Sequence, residues 1–335
     1  TGNGFSGQIA IAGIHEYESR WAPDKTAFQI IGECARNALE DAGLTLGDVD
    51  GLFGATMSMG AMGMVQLAEY LNLKPRYMDG SNIGGSSFVS HVAHAAAAIH
   101  TGLCEVALIL YGSTAASDAM AIGTGNSSAA DPASAFNSPY GMTLVSSYAM
   151  VAHRHMHEFG TTSEQLADIA VSTRHHASLN PHAKMQQPIT RDDYANASVV
   201  ASPINIMDSS PVCDGAAAVV LVPTDRVAQY VRGHHRGAVQ ILASAAATDT
   251  LAVHDRHDPL VLDGAVLSTH RAYAQAGTEP QSVDLFELHD GFGILSTLSL
   301  EAAGFAERGE GLKLALEGEI GIEGRVPIST MGGLK

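Results

Sequence analysis

Part of this chain occurs twice, and that constrains its fold more than any other feature. Ala38, Ala42, Gly43, Val49 and Asp50 match Ala272, Ala276, Gly277, Val283 and Asp284 at one constant offset. Each set reads as a helix, a glycine stop, a short polar loop and a Val-Asp leading into a strand. Ahead of each set, Gln8-Ile9 and Gln240-Ile241 open an apolar strand. Behind it, RYMDGSNIGG (76–85) resembles RVPISTMGG (325–333). Three matches in the same order predict a duplicated β-α-β-α-β unit, and the period is too long for a solenoid.

Periodicity places the elements of the first copy. Residues 8–13 (QIAIAG) read as a buried strand. Residues 26–42 carry Phe28, Ile31, Ala35 and Leu39 on one helical stripe, with Gly43 as the C-terminal stop. Strands are predicted at 49–54 and 76–79, with a helix at 65–71 between them. Residues 86–100 are rich in alanine and nearly free of charge, which predicts a helix buried on most faces. The runs VALILY (106–111) and GAAAVVLV (215–222) read as strands covered on both sides. Between them lies a segment rich in Ser, Ala, Met and His, with one clear amphipathic helix at 163–176 opened by Thr162-Ser163. The second copy stops after Gly332-Gly333, with no counterpart of helix 86–100 or strand 106–111. The sequence is therefore expected to be part of a longer chain, because a sheet without that helix leaves a large apolar face in water.

Composition closes off several classes of function. A formal charge of −17 over 335 residues opposes wrapping a phosphate backbone, so no nucleic acid is expected. No run reaches the roughly 18 apolar residues of a membrane span, and residues 1–7 lack a basic-then-apolar signal pattern. Cys34, Cys104 and Cys213 are odd in number and far apart, which predicts neither a disulfide framework nor a zinc site. A soluble protein of the reducing cytoplasm is expected.

The segments SNIGGSSFVSHVAHAAAAIHTGLCEVALILYG (81–112), SPYGMTLVSSYAMVAHRHMHEFGTTSEQLADIAV (138–171), SPVCDGAAAVVLV (210–222), FELHDGFG (286–293), EAAGFAERGEG (301–311) and PISTMGGLK (327–335) carry a resemblance. Together, and in this order, they resemble the thiolase superfamily in its sterol-carrier-protein/lipid-transfer-protein branch. The resemblance implies an α/β thiolase-like fold, with two β-α-β-α-β halves in a five-layer α-β-α-β-α arrangement. Residues 1–112 and 210–232 would form the N-terminal half, 113–209 an inserted helical loop domain, and 233–335 a C-terminal half incomplete at its end.

Thiolases place a nucleophilic cysteine at the N-terminus of the buried first-half helix, where the helix dipole favours the thiolate. In this chain that position falls on Gly85, or on Ser86 after a one-residue slip. Neither is a thiol, so acyl-cysteine chemistry is not expected. The other cysteines read more readily as small buried hydrophobes. By resemblance, His289 of ELHDGF is the catalytic candidate, with Gly291 where the branch usually has cysteine. An imidazole there polarises a thioester or ketone oxygen, or moves a proton near neutral pH. Asp290 is expected to bind backbone N–H groups and shape the turn. Gly85, Ser86, Asp290, Gly332 and Gly333 form the expected substrate-binding set, and Ser86 and Ser87 also read as helix caps. His153, His155, His157, His175, His176 and His182 lack an HExxH pattern and read as a helix face, so no metal is assigned.

Three functions follow from the resemblance. The leading one is retro-aldol C–C cleavage of a β-hydroxyacyl-CoA, a lipid or steroid side chain, which needs no acyl-enzyme. It is expected with an OB-fold, zinc-ribbon partner protein, and Tyr140 or Tyr148 could assist. The alternatives are a noncatalytic acyl-CoA or lipid-binding subunit and an acetyl-CoA acyltransferase. In each case the coenzyme A thioester is substrate, no cofactor is bound tightly, and a homodimer is expected.

Overall fold

The computed structural model describes residues 4–55, 60, 62–119, 138–230 and 237–334. The chain divides into two compact units. The first comprises residues 1–120, 213–246 and 271–278, and the second residues 121–212, 247–270 and 279–335.

The first unit is built on one sheet. Its strands are β1 (Ile9–Glu16), β2 (Gly51–Gly54), β3 (Tyr77–Asp79), β4 (Ala107–Ser113), β7 (Gly215–Pro223) and β8 (Val239–Gln240), numbered along the chain. Their order is β3-β2-β4-β7-β1-β8. The pairs β3–β2 and β2–β4 are parallel, and the rest are antiparallel. The helices are α1 (Ala27–Asp41), α2 (Gly63–Tyr70), α3 (Ser87–His100) and α7 (Val227–Tyr230).

Strand alternation explains why this sheet is covered on both faces. Along β4, Leu108 and Leu110 point into a cluster with Ile30, Ile31, Ala35 and Leu39 of α1. Ala107 and Ile109 point the other way, into a cluster with Ala95, Ala96 and Ile99 of α3. Period two on one strand therefore feeds two cores, each fully buried large side chain contributing about 1.5–3 kcal/mol. The start of α1 is held by a capping box: Thr26 Oγ1 accepts from Gln29 N–H at 3.3 Å, and Gln29 Oε1 accepts from Thr26 N–H at 2.8 Å. Gly43 follows with φ of +72°, as the glycine stop requires.

The predicted elements of this unit form within two residues of their expected ends, except that β1 runs three residues beyond its expected end at Gly13. Helix α3 differs in its covering. It buries Ser87, Ser90, His91, Ala95, Ala96, Ala98 and Ile99, but Val89 is 65% exposed and His94 also faces solvent. Its small residues bring one face close to the sheet and leave the other uncharged but open.

The second unit contains α4 (Leu144–Phe159), α5 (Ser163–Leu179), α6 (Arg191–Ala195), α9 (Gly293–Ala302) and α10 (Gly311–Leu316). It also holds the hairpin of β5 (Val199–Ala201) and β6 (Ile204–Asn205); α8 (Asp263–Ala276) runs from this unit into the first. Helix α4 was not singled out by the sequence reading. Thr143 caps it through a reciprocal pair with Ser146, and Gly160 ends it in the left-handed region. Leu166, Ile169 and Ala170 of α5 pack with Leu300 of α9, Leu312 and Leu314 of α10, and Val326 and Ile328. Segments 284–288 and 325–329 meet in a parallel bridge, Phe286 to Ile328.

Candidate active site

That bridge brings the two segments with the expected site residues side by side in the second unit. Phe286 N–H donates to Pro327 O at 2.8 Å, and Ser329 N–H donates to Phe286 O at 3.3 Å. Glu287 then accepts from Thr330 twice, from its N–H at 2.9 Å and its hydroxyl at 2.5 Å. Beyond the bridge, His289 is exposed and Asp290 is fully buried.

Asp290 Oδ1 accepts from Leu334 N–H at 2.9 Å, so this carboxylate holds the Gly332-Gly333 turn through the backbone. Its Oδ2 is buried and has no hydrogen-bond partner among the described residues. Gly332 and Gly333 have φ of +105° and +63°. A Cβ at Gly332 would lie 2.6 Å from Ala177, so this turn sits against α5 with no room for a side chain. Asn180 Nδ2 also donates to Met331 O at 2.9 Å.

Two features of this cluster have no signal in the sequence. His176, on α5, is fully buried, and its Nδ1 faces Ser329 O at 3.4 Å. Burial pushes this imidazole below its ordinary pKa, with the carbonyls of Ser329 and Ile328 opposing the shift. Ser329 is a buried non-glycine residue at φ +45°, a conformation that L side chains rarely adopt. No sequence signal joins residues 176 and 329. What was visible was His176 on the amphipathic helix, where it read as part of a helix face.

Gly291 sets the space beside His289. A Cβ at position 291 would lie 3.0 Å from His289 Nε2, tight enough to displace the ring. The glycine found where the branch usually has cysteine therefore leaves that nitrogen clear. Ser210 N–H donates to Gly291 O at 3.3 Å, tying the loop down from behind.

Gly85 and Ser86 lie in the first unit, at the start of α3, and both are exposed. A Cβ at Gly85 would meet nothing within 4 Å. Ser86 occupies the N-cap position but makes no side-chain capping bond. The capping expected of Ser86 and Ser87 does not form: Ser87 is the first helical residue, and its Oγ accepts from Ile83 N–H at 2.9 Å and donates to Gly84 O at 2.7 Å, both in the preceding loop. Cys34 and Cys104 are buried in the two hydrophobic clusters of this unit, and burial pushes both thiols up to about 12. Cys213 is half-buried, next to Asp214.

Of the histidines that invited a metal reading, His153 and His157 are exposed, while His155 is buried and bonded through Nδ1 to Thr161 at 2.7 Å. Among the described residues they form no three-ligand group. Tyr140 is 83% exposed, and Tyr148 stacks on Phe292 with ring centroids 4.9 Å apart.

Known proteins match the chain over almost its full length. Residues 245–335 match the family described as "Thiolase C-terminal domain-like". An acetyl-CoA acetyltransferase of Methanothermobacter thermautotrophicus is 32% identical over 98% of this chain and 85% of its own length. The chain belongs to the thiolase superfamily. Within that superfamily it falls in the sterol-carrier-protein/lipid-transfer branch. The 17-hydroxy-3-oxo-4-pregnene-20-carboxyl-CoA lyase of Mycobacterium tuberculosis is 30% identical over 98% of this chain and 87% of its own. A solved structure titled "Ltp2-ChsH2(DUF35) aldolase" superposes with a TM-score of 0.88 at 30% identity, covering 98% of this chain and 85% of that one. The fold of this thiolase-superfamily enzyme is thiolase-like. No helix among its described residues is long and apolar enough to cross a membrane.

Proposed function

We infer that this enzyme cleaves a C–C bond of a β-hydroxyacyl-CoA by a retro-aldol reaction. The observation that carries the reading is the pairing of an exposed His289, its Nε2 kept clear by Gly291, with the absence of any cysteine at the start of α3. A proton-transfer group is present, and the group that would carry an acyl chain is not.

The chemistry needs nothing more than acid–base work. His289 accepts the proton of the β-hydroxyl as the Cα–Cβ bond breaks. The hydroxyl carbon leaves as a ketone or aldehyde, and the bond's electron pair passes to the thioester as an enolate. Return of the proton to Cα releases the shorter acyl-CoA, so atoms and charge balance. An imidazole can both accept a proton and return it. The buried carboxylate of Asp290, bonded to Leu334 N–H, holds the residue next to the base and leaves His289 to face solvent. Gly85, Ser86, Gly332 and Gly333 are the proposed substrate-binding positions; Gly85, Ser86 and Gly333 are exposed, and a Cβ at Gly85 would meet nothing within 4 Å.

The relatives support this chemistry, since one is named a steroid carboxyl-CoA lyase and another an aldolase. The aldolase title also names a second component, ChsH2(DUF35), which supports a partner protein for this chain; that the partner is an OB-fold protein is proposed on the family resemblance. A steroid or other bulky lipid side chain is the proposed acyl group. A homodimer is proposed on the family resemblance.

The test incubates the full chain, with and without such a partner, with β-hydroxyacyl-CoAs that include a 17-hydroxy steroid carboxyl-CoA. The expected result is a ketone plus a shorter acyl-CoA, lost in His289→Ala, with the intact protein mass unchanged during turnover. An acyl adduct on the protein would instead make it an acyltransferase. Binding without turnover across the panel would make it a noncatalytic subunit.

A further inference from the structure

Far along the chain from His289, the first unit holds a second group of ligating side chains. Asp79 is the last residue of β3, an edge strand. His91 and His94 are three residues apart on α3, so their side chains share one face of the helix. One ligating atom from each of the three lies within 4.8 Å of the others. His94 Nδ1 and Asp79 Oδ2 are 2.5 Å apart, and the two imidazole rings meet edge-on with centroids 5.9 Å apart.

A simple ion pair between His94 and Asp79 leaves one observation unexplained. His91 is fully buried, its Nε2 shares a hydrogen bond of 2.8 Å with Ser81 Oγ, and its Nδ1 has no partner among the described residues. A buried polar atom without a partner costs about 1–3 kcal/mol. Two imidazoles and one carboxylate are also the donors that zinc takes, with the remaining position left to water. Ligating atoms in a tetrahedral zinc site lie about 3.4 Å apart, between the 2.5 Å of the His94–Asp79 edge and the 4.8 Å limit of the group, so side-chain rotations bring the triangle to that size. His94 and Asp79 are partly exposed, which gives an ion a way in.

We propose that Asp79, His91 and His94 form a binding site for a divalent transition-metal ion of the zinc class. Such an ion ties the end of β3 to the first turns of α3. Between those anchors run residues 80–86, which include Gly84, Gly85 and Ser86. The ion is thus placed to fix the conformation of that loop. No metal was expected from the sequence, because Asp79, His91 and His94 come together only in the fold and match no ligand-spacing motif. The site does not depend on the aldolase reading.

The experiment uses the full chain stripped of metal, with Co²⁺ as a spectroscopic probe and Zn²⁺ as competitor. One Co²⁺ per chain is expected, with visible bands of a four- or five-coordinate site that Zn²⁺ bleaches. His94→Ala and Asp79→Asn, both at partly exposed positions, are expected to weaken binding at least tenfold while circular dichroism stays unchanged. His157→Ala, at an exposed histidine outside the group, is expected to bind as the parent does. Zn²⁺ should also raise the melting temperature of the parent but not of the two site variants. No bands and no thermal shift in the parent at a millimolar probe overturns the site, and so does equal affinity in His94→Ala and Asp79→Asn.

Discussion

Gly333 runs so close to Asp290 that a Cβ on the glycine would lie 1.9 Å from Asp290 Oδ2. The same carboxylate accepts from Leu334 N–H at 2.9 Å, and Gly333 has φ of +63°. The turn and the carboxylate therefore fit only while position 333 has no side chain. Gly333→Ala forces a non-glycine residue into the left-handed region, at about 1–2 kcal/mol, and breaks a charged hydrogen bond worth about 1.5–3 kcal/mol. The expected outcome is a loss of roughly 3 kcal/mol locally, seen as faster hydrogen exchange at the Leu334 amide. Exchange unchanged from the parent would show that the turn tolerates the methyl group.

Gly291 controls the space at His289 in the same way. In Gly291→Ala the new Cβ lies 3.0 Å from His289 Nε2, so the ring must give by a few tenths of an ångström. For a base that must sit within hydrogen-bond reach of its proton, this is expected to lower kcat by about 10- to 100-fold with a smaller change in KM. His289→Ala is expected to lower kcat by at least 100-fold, within the range of general base catalysis. Steady-state kinetics on the β-hydroxyacyl-CoA substrate decides both. A Gly291→Ala variant as fast as the parent would show that the clearance beside Nε2 is not used.

Asp214 is a structural carboxylate with a pH signature. It is fully buried and accepts from Ala22 N–H at 2.7 Å, Ala116 N–H at 2.9 Å, Ser117 N–H at 3.0 Å and the Ser117 hydroxyl. Burial pushes its pKa up, but the Ser117 hydroxyl and the backbone N–H groups of Ser117, Ala22 and Ala116 outweigh burial and hold it below its ordinary 3.8. A depressed carboxylate contributes stability that is present above its unfolded pKa and is lost as pH falls through the lower folded value. Asp214→Asn is therefore expected to destabilise the protein by about 3 kcal/mol at neutral pH. It should also flatten the fall in melting temperature below about pH 4. A parallel, undiminished acid fall in the variant would assign that loss to other carboxylates.

The cysteines make a direct prediction about acyl chemistry. Cys34 and Cys104 are buried, with thiols pushed up to about 12, while Cys213 is half-buried. Iodoacetamide at pH 8 is expected to label Cys213 alone in the native protein and all three cysteines after unfolding. Peptide mass spectrometry reads the pattern. Rapid native labelling of Cys34 or Cys104 would mean that a thiol is reachable after all.

The first unit was legible because its residues are patterned locally. In β4 the alternation of Leu108 and Leu110 with Ala107 and Ile109 serves two cores, and the run of apolar residues announces a strand covered on both faces. Thr26, Gln29 and Gly43 mark both ends of α1 within the sequence itself. Helix α4 went unread because Thr143 and Ser146 form a weaker signature than a Ser/Thr with Glu or Gln, and its histidines blur the apolar stripe. The site was legible only where a motif was contiguous. His289, Asp290, Gly332 and Gly333 stood in segments whose motifs suggest a role for them; Ser329, Asp79, His91 and His94 also lie in recognisable segments, but no motif joins them to one another or joins Ser329 to His176.

By itself, the sequence determined the duplicated pattern, the strand and helix order of the first unit, and the lack of cysteine at the start of α3. All of these follow from periods of two and 3.6 residues and from residue identity. Only the tertiary structure decided that Asp290 holds the Gly333 turn, that Gly291 clears the nitrogen of His289, and that Asp79 meets His91 and His94. Those relations are distances of a few ångströms between groups brought together by strand pairing and helix packing, and no local pattern in a chain encodes such a distance.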